Sequence, residues 1–388
     1  MTRRWPSEPM ISLIMATSSS ASGHPLITAL AGLAFSLGLL VCVVGGYFTF
    51  TGLQVAAPIT VLDADVAGSP DIAGNWLEVL QASQSTPTEP LNILLLGSDT
   101  RQGQGSGFGS VEAIAGARSD TAIFLHLAAD RKRAVALSIP RDLLVSIPSC
   151  TGSDGQPTQP TYDRFNAAFD LGGPACTVAT VKELLGLPVN HIMVIDFRGF
   201  QKVIDSLGGL EVCLTQPIDD VKAKVSLPAG KQTLSGEEAL GLARARYTVA
   251  DGSDLSRIVR QQALLRAAIR QVQDSGLAYN PNLLRETLTT VTAALSTDKQ
   301  LASLEALASL ALQVRGLPLG NIEFTTVPWV HTGDGQTVQP DQERLDQVIE
   351  ALRASILPLK PEKAKGTGQG SPSSETKRAP STCADPVF

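Results

Sequence analysis

Short apolar runs alternate with segments of helical periodicity through the middle of the chain. Runs with the length and residue types of β-strands lie at residues 91–96, 121–127, 134–139, 191–195 and 210–214. Helical periodicity covers residues 176–185, 200–207 and 254–275, and a glycine follows each of these segments. Ser235 and Glu238 have the spacing of a capping box, which predicts another helix from Gly236. Interleaved strands and helices predict a layered α/β domain.

A long uncharged segment precedes this domain. No Asp, Glu, Lys or Arg occurs between Glu8 and Asp63, and residues 26–50 are almost entirely apolar. That stretch exceeds the roughly 20 apolar residues that cross a bilayer. A cleaved signal peptide is the alternative, but its apolar region is only about 7 to 15 residues long. We therefore predict a single transmembrane helix, with the N-terminus inside and the rest of the chain outside the cell membrane.

The other segments complete the predicted organisation. Residues 1–25 form a short cytoplasmic segment, and residues 51–90 form a polar connector between the anchor and the domain at residues 91–275. Residues 276–357 form a C-terminal extension that we expect to pack on or beside the domain. Its predicted elements are helices at 282–295, 301–314 and 339–352 and a strand at 322–327. The tail at residues 358–388 has no apolar period, which predicts disorder.

Composition and cysteine usage narrow the class of protein. The 388 residues are 43% hydrophobic and carry a net charge of −6, which argues against a protein that coats nucleic acid. The four histidines lack metal-ligand spacing, so no zinc site is predicted. In an exported chain, Cys150 and Cys176 are the favoured disulfide. The sequence leaves open whether Cys213 and Cys383 stay reduced or pair with each other.

Charged residues gather where three of the predicted strands begin or end. Asp99 follows the first strand, Arg118 and Asp120 precede the second, and Arg141 and Asp142 follow the third. The carboxyl ends of strands border the crevice in which α/β proteins bind ligands. The alternative interpretations are a turn that Asp99 caps and a surface ion pair between Arg141 and Asp142.

A group of arginines further along the chain is the most informative pattern. Arg244 and Arg246 follow one helix, and Arg257 and Arg260 lie in the next, so four arginines fall within 17 residues. Arg257, Arg260 and Gln261 have the spacing i, i+3 and i+4 and therefore share one helix face. Guanidinium groups bind phosphate oxygens in pairs. This group, beside strand-end carboxylates, predicts a polyanionic ligand such as a pyrophosphate.

The carboxylates have a different predicted role. A carboxylate repels phosphate directly, but it can hold Mg²⁺ that bridges to phosphate oxygens. Asp99 and Asp120 are therefore predicted Mg²⁺ ligands. Together with the arginines they are the groups that phosphoryl transfer needs, because that reaction depends on positioning and charge neutralisation. The alternative is that Arg118 forms salt bridges with Asp99 or Asp120.

These residues lie in segments that resemble, in the family's order, the LytR-CpsA-Psr family of cell-wall ligases. The segments extend from about residue 91 to residue 272 and read LNILLLGSDTR, ARSDTAIFLHL, ALSIPRDLLVSIP, DRFNAAFDLGGP, VIDFRGFQKVIDSLGGLEV, LPAGKQTLSGEEALGLARAR and SDLSRIVRQQ. The cysteines that flank DRFNAAFDLGG resemble those of the family's actinobacterial branch.

The resemblance implies a fold and an activity. The family fold is a three-layer α-β-α domain with a central mixed sheet and a long apolar pocket, outside the membrane and preceded by one transmembrane helix. Family members move a glycopolymer from a polyprenyl-pyrophosphate carrier to peptidoglycan, form a phosphodiester link and release polyprenyl phosphate. The expected partners are therefore the lipid-linked glycopolymer, the peptidoglycan acceptor and the membrane, with Mg²⁺ as cofactor and no nucleic acid.

The resemblance also implies roles for single residues. Asp99 and Asp120 match the acids that the family associates with Mg²⁺. The residues that match its pyrophosphate-binding positions are Arg118, Arg141, Arg244, Arg246, Arg257, Arg260 and Gln261. Catalysis is expected to depend on Asp99, Arg118, Asp120, Arg244 and Arg257. No general base is assigned, although Asp99 or Asp120 could accept the proton of the acceptor hydroxyl.

Two further expectations concern the pocket and the reaction. A group of apolar residues could line a tunnel for the prenyl chain: Phe165, Phe169, Val194, Phe197, Phe200, Val203, Ile204 and Leu207. The same site suits a non-catalytic module that binds polyprenyl pyrophosphate, or a pyrophosphatase in which water replaces the sugar hydroxyl.

Overall fold

The computed structural model describes residues 59–68, 75, 79, 87–98, 119–245, 254–333 and 337–354. Within them the strands are β1 Thr60–Leu62, β2 Leu91–Ser98, β3 Ser119–Leu127, β4 Ala134–Ser138, β5 Leu144–Ile147, β6 Thr161–Arg164, β7 His191–Asp196, β8 Leu210–Leu214, β9 Ile218–Asp220, β10 Val225–Leu227, β11 Gly230–Leu234, β12 Leu295–Asp298, β13 Ile322–Thr326, β14 Trp329–His331 and β15 Val338–Pro340. All five strands predicted for the domain are present, at β2, β3, β4, β7 and β8.

Seven α-helices occur in the described ranges. They are α1 Ala167–Leu185, α2 Phe197–Ser206, α3 Gly236–Arg244, α4 Asp254–Asp274, α5 Pro281–Thr292, α6 Leu304–Val314 and α7 Gln342–Arg353. The predicted capping box is confirmed: the Ser235 hydroxyl accepts from the Glu238 amide, and the Glu238 carboxylate accepts from the Ser235 amide. Helix α1 begins nine residues before the predicted start, but it is kinked: Gly172 and Gly173 have non-helical backbone angles, so the part after the kink corresponds to the predicted helix.

Seven strands form the central sheet, in the order β1-β12-β7-β2-β3-β4-β13. The pairs β1–β12, β7–β2 and β4–β13 are parallel, and the other three are antiparallel, so the sheet is mixed as expected. Strands β12 and β13 belong to the C-terminal extension. This segment, which we expected on or beside the domain, therefore contributes two strands to the sheet itself.

Each face of the sheet is covered by different helices, which gives three layers. Alternate residues of a strand point to opposite faces. Leu94 and Leu96 pack in one cluster with residues of α1 and α7, whereas Leu91 and Ile93 pack in another with residues of α5 and α6. A third cluster joins α2, α3 and the middle of α4 to β8 and the β9–β10 hairpin.

The disulfide between Cys150 and Cys176 is present, as predicted, and connects the segment after β5 to α1. Cys213 is also disulfide-bonded, so it is not reduced, and Cys383 lies outside the described residues. In the part of the chain that the structure describes, no helix has the length and hydrophobicity to cross a bilayer. The predicted anchor at residues 26–50 and the predicted tail lie outside that part.

Candidate active site

A β-bulge positions Asp120. Gly97 of β2 pairs with Thr121 of β3, but the next residue, Ser98, pairs with Ser119, so Asp120 is an extra residue without a partner on β2. Bulges redirect side chains and are common beside active sites. Here, Asp120 and Thr121 line the same cavity although they are consecutive residues. A regular strand would point them to opposite faces of the sheet.

Two of the predicted arginines contact Asp120. Arg141 Nη1 donates to Asp120 Oδ1 at 2.8 Å, and its Nε lies 3.4 Å from Asp142 Oδ2. Arg257 Nη2 donates to the Asp120 backbone carbonyl at 3.2 Å, and its Nη1 lies 3.8 Å from Oδ1. Arg141 therefore pairs with Asp120 as well as with Asp142, so the surface pair considered above is only part of its environment. Residues that follow β4 and begin α4 thus meet at the bulge.

Arg244 reaches the site from a third element. It is the last residue of α3, and its guanidinium carbon lies 4.8 Å from the centre of the Phe197 ring at the start of α2. An arginine stacked on an aromatic face keeps its N–H donors in the plane of the guanidinium group and available to a ligand. The sequence alone could not show this stacking, because Phe197 and Arg244 are 47 residues apart.

The charged residues border a cavity of about 520 Å³. One face of α4 lines it with Arg257 and Gln261 near one end, followed by Leu264, Leu265 and Ala268. Their spacing of four, three, one and three residues keeps all five on one side of the helix. The face that the sequence predicted from its arginines therefore continues as an apolar wall, and extending the same helical spacing along α4 would have identified it.

The sheet and two shorter helices supply most of the remaining wall. The apolar lining residues from these elements are Leu95, Leu96, Ile123, Met193, Ile195, Leu295, Phe197, Phe200, Leu240 and Ala243. Of the eight apolar residues expected to line a tunnel, Phe197 and Phe200 do so. Phe165, Phe169 and Val194 instead pack in the cluster with α1 and α7, with at most 1% of each residue exposed. The expectation failed for them because hydrophobicity alone does not show which face of the sheet a residue meets.

Arg260 is placed differently from the other residues that were predicted to bind pyrophosphate. It is 1% exposed and is not among the residues that line the cavity. Its guanidinium donates to the backbone carbonyl of Ala245, the C-cap residue of α3. A cation at the C-terminus of a helix satisfies a carbonyl and interacts favourably with the helix dipole. Sharing a helix face with Arg257 was therefore insufficient to bring Arg260 to the cavity.

Three of the predicted site residues, Asp99, Arg118 and Arg246, lie outside the described residues. Those that the structure does bring to the cavity are Asp120, Arg141, Arg244, Arg257 and Gln261. Among the described residues, no three His, Cys, Asp or Glu side chains are grouped as a metal site would require. Mg²⁺ does not need such a group, because it is held by one or two carboxylates together with substrate phosphates and water. The Asp120 carboxylate at the cavity edge fits that type of site.

Known proteins resemble the chain in sequence. "Probable cell wall biosynthesis protein LcpB" of Corynebacterium glutamicum is 34% identical over 211 residues, which are 53% of this chain and 48% of that protein. The "polyisoprenyl-teichoic acid–peptidoglycan teichoic acid transferase TagT" of Bacillus subtilis is 37% identical over 187 residues, which are 47% of this chain and 52% of that protein. The chain thus spans about half the length of these curated relatives.

Similarity extends to solved structures and to a family model. A structure described as "TagT bound to LI-WTA" superposes with a TM-score of 0.52 at 26% identity, covering 76% of this chain and 98% of that one. The family model described as the LytR_cpsA_psr family matches residues 66–354. That range includes the bulge, the arginines and both C-terminal strands of the central sheet. The chain belongs to the LytR-CpsA-Psr family.

Proposed function

We propose that the protein is a membrane-anchored phosphotransferase that moves a glycopolymer from a polyprenyl-pyrophosphate carrier to peptidoglycan. The observation that carries this proposal is the junction of two environments in one cavity. Arg141, Arg244 and Arg257 border it beside Asp120, and an apolar wall continues from them along α4 and the sheet. A ligand that matches both environments has a polyanionic head and a long hydrocarbon chain.

The names of the relatives support the same class of reaction. TagT is named as a transferase of teichoic acid from a polyisoprenyl carrier to peptidoglycan, and LcpB is named as a probable cell-wall biosynthesis protein. A glycopolymer carried on a polyprenyl pyrophosphate has the polyanionic head and the hydrocarbon chain inferred from the cavity. These names suggest the general class of donor and acceptor for this chain and do not specify its polymer.

The proposed transfer has a simple balance of bonds. The oxygen of a peptidoglycan hydroxyl attacks the phosphorus that carries the glycopolymer and forms a new P–O ester bond. The bond from that phosphorus to the bridging oxygen breaks, and its electrons leave with polyprenyl phosphate. Arg141, Arg244 and Arg257 would neutralise the charge that the phosphoryl oxygens hold during this step. Gln261, on the same face of α4, would donate a hydrogen bond to one of those oxygens.

We propose Mg²⁺ as the cofactor. Asp120 would hold it, together with Asp99, which the sequence places after β2. When bound, the ion would supply charge neutralisation between carboxylates and phosphate. Arg141 and Arg257 keep the Asp120 carboxylate at the edge of the cavity.

Membrane anchoring is the remaining part of the proposal. Residues 26–50 would cross the membrane once, with residues 1–25 inside the cell and the α/β domain outside. A carrier with a long hydrocarbon chain stays in the bilayer, so an anchored domain would encounter it by lateral diffusion. This arrangement explains why an apolar cavity and an apolar N-terminal segment occur in one chain.

Substitution of Arg257 tests the activity. The full chain, purified in detergent, is given a polyprenyl-pyrophosphate-linked sugar, peptidoglycan and Mg²⁺, and released polyprenyl phosphate and labelled peptidoglycan are measured. We expect Arg257→Ala to lower transfer by about 10³-fold, because it removes a buried cation that acts on developing charge. The matched control is Arg266→Ala on the same helix. Arg266 stacks on Phe324 at 4.2 Å and does not line the cavity, so transfer should be unchanged.

Several outcomes would contradict the proposal. Full transfer by Arg257→Ala would show that the arginine group is not the site. Binding of the carrier by the wild-type protein without release of polyprenyl phosphate would indicate the non-catalytic module. Release of polyprenyl phosphate without labelling of peptidoglycan would indicate a pyrophosphatase. Chelation of divalent ions tests the cofactor, and unchanged transfer in EDTA would overturn the role of Mg²⁺.

A further inference from the structure

Three carboxylates among the described residues line the cavity, and they differ in what already engages them. Asp120 is held by Arg141 and Arg257. Asp220 is 2% exposed, and its Oδ1 accepts from the amides of Lys222 and Ala223. A carboxylate oxygen that already accepts a hydrogen bond or an ion pair has fewer lone pairs left for the hydroxyl of an acceptor. These contacts make Asp120 and Asp220 the less accessible of the three carboxylates.

Asp196 is the third of these carboxylates. It is the last residue of β7 and the N-cap of α2, and its Oδ1 accepts from the Gly199 amide at 2.6 Å. Within the described part of the chain, its other oxygen has neither a hydrogen-bond donor nor an ion-pair partner. The residue is half-buried and lines the cavity. The helix cap therefore fixes one oxygen and leaves the second oxygen without a partner among the described residues.

The sheet register places Asp196 across the site from Asp120. Asp196 pairs with Ser98 on one side of β2, and the bulge with Asp120 lies on the other side. Two strand spacings separate the two backbones by about 10 Å. That distance leaves room for a pyrophosphate and an attacking hydroxyl between the side chains. Arg244 stacks on Phe197, the residue after Asp196, so an arginine that borders the cavity contacts the first residue of the helix that Asp196 caps.

We propose that Asp196 is the general base of the transfer, an inference that rests on the proposed function. The second carboxylate oxygen of Asp196, which does not cap α2, would accept the proton of the peptidoglycan hydroxyl. At the same time the hydroxyl oxygen would bond to the phosphorus that carries the glycopolymer. The bridging P–O bond breaks, and polyprenyl phosphate leaves with the electron pair. In other phosphoryl transfers, a carboxylate in this role also orients the nucleophile. Asp120 then acts toward the phosphates and Asp196 toward the acceptor.

Two substitutions separate this role from helix capping. Asn and Ser are both good N-caps, so Asp196→Asn and Asp196→Ser should keep α2 folded while removing the base. We expect each to lower kcat about 10²- to 10⁴-fold, with the affinity for the lipid-linked donor and the melting temperature nearly unchanged. Asp341→Asn is the matched control. Asp341 caps α7 through the Arg344 amide and does not line the cavity, so transfer should be unaffected.

The results distinguish this inference from the proposed function. If the wild-type chain transfers nothing, the function fails and the inference fails with it. If the wild type is active and both Asp196 variants transfer the glycopolymer as fast as the wild type does, only the inference fails. Recovery of the variants at higher Mg²⁺ concentration would show that Asp196 is a metal ligand, and weaker donor binding with unchanged kcat would show a binding residue. Either result would overturn the general-base role.

Discussion

The two faces of the central sheet have different surroundings although they share the same strands. On one face, Leu94 and Phe124 are fully buried and pack in the cluster with α1 and α7. On the other, Leu95 and Ile123 line the cavity beneath α4. These positions alternate along β2 and β3, so a side chain one position further along the strand points to the cavity wall and not to the core. Near the cavity, strand parity therefore decides whether a side chain packs in this core or lines the cavity wall, whereas Leu91 and Ile93, on the cavity side of β2, pack against α5 and α6.

The two faces also differ in their polar groups. On the packed face, His126 and Asn92 are both buried and share a hydrogen bond of 2.7 Å. Burial, with a smaller contribution from Arg131, lowers the pKa of His126 to about 4, so the imidazole is neutral at pH 7. The cavity, in contrast, is bordered by charged groups, among which Arg141 and Asp120 form an ion pair. The buried pair of His126 and Asn92 is therefore uncharged, whereas charged side chains border the cavity.

Truncation of a large side chain on each face gives the largest expected difference. Phe124→Ala should lower the free energy of unfolding by about 3 to 5 kcal/mol, because it leaves a void in a closely packed core. Leu95→Ala should lower the free energy of unfolding by only about 1 to 2 kcal/mol, because Leu95 borders the cavity and has fewer packing contacts to lose. Urea denaturation of the full chain in detergent measures both. Equal losses would contradict the separation of the two faces.

The neutral histidine predicts a pH dependence of stability. The folded-state pKa of about 4 lies below the ordinary value of 6.5, so the unfolded chain binds a proton first as the pH falls. The contribution is fully present above about pH 6.5 and is lost progressively toward pH 4, by about 3 kcal/mol in total.

Denaturation at several pH values would test this expectation. His126→Gln removes the titrating group, so its free energy of unfolding should fall less steeply between pH 6.5 and pH 4 than that of the wild type. Identical slopes would show that His126 is not the source of the dependence.

Filling the cavity should give the smallest change. Ala268→Trp projects a large ring from the apolar wall of α4 and should weaken binding of a polyprenyl phosphate by tenfold or more, about 1.4 kcal/mol. The matched control is Val259→Trp, because Val259 lies on the same helix, is 58% exposed and does not line the cavity. Titration with the lipid in detergent measures both affinities. Unchanged binding by Ala268→Trp would mean that the chain does not occupy this wall.

Much of the fold was predictable because its signals are local. Strand-length apolar runs, the glycine after α1 and the capping box of α3 depend on neighbouring residues only, and each matched an observed element. Elements with weak local signals were missed. The strands of the β5–β6 hairpin have four residues each, and exposed residues dominate β6. Short strands of that kind are stabilised by pairing with a partner, which periodicity does not report.

The candidate site was predicted in its residue types but not in its assembly. Arg141 and Asp120 are 21 residues apart, and their contact depends on the bulge in β3, which was not predicted from the sequence. Asp196 was not among the predicted site residues, because an aspartate before a helix is an ordinary N-cap. Its position at the cavity follows from the parallel pairing of β7 with β2, which joins residues about 98 apart in the chain.

By itself, the sequence determined the layered α/β class, the seven α-helices and six of the fifteen strands of the described residues, the arginine-rich character of the site and the Cys150–Cys176 disulfide. Those features depend on local periodicity, on charge and on the pairing of a few cysteines. Only the tertiary structure decided that β12 and β13 complete the sheet, which residues line the cavity and that Arg260 supports the end of α3. These outcomes depend on strand register and side-chain direction, and contacts between distant residues set both.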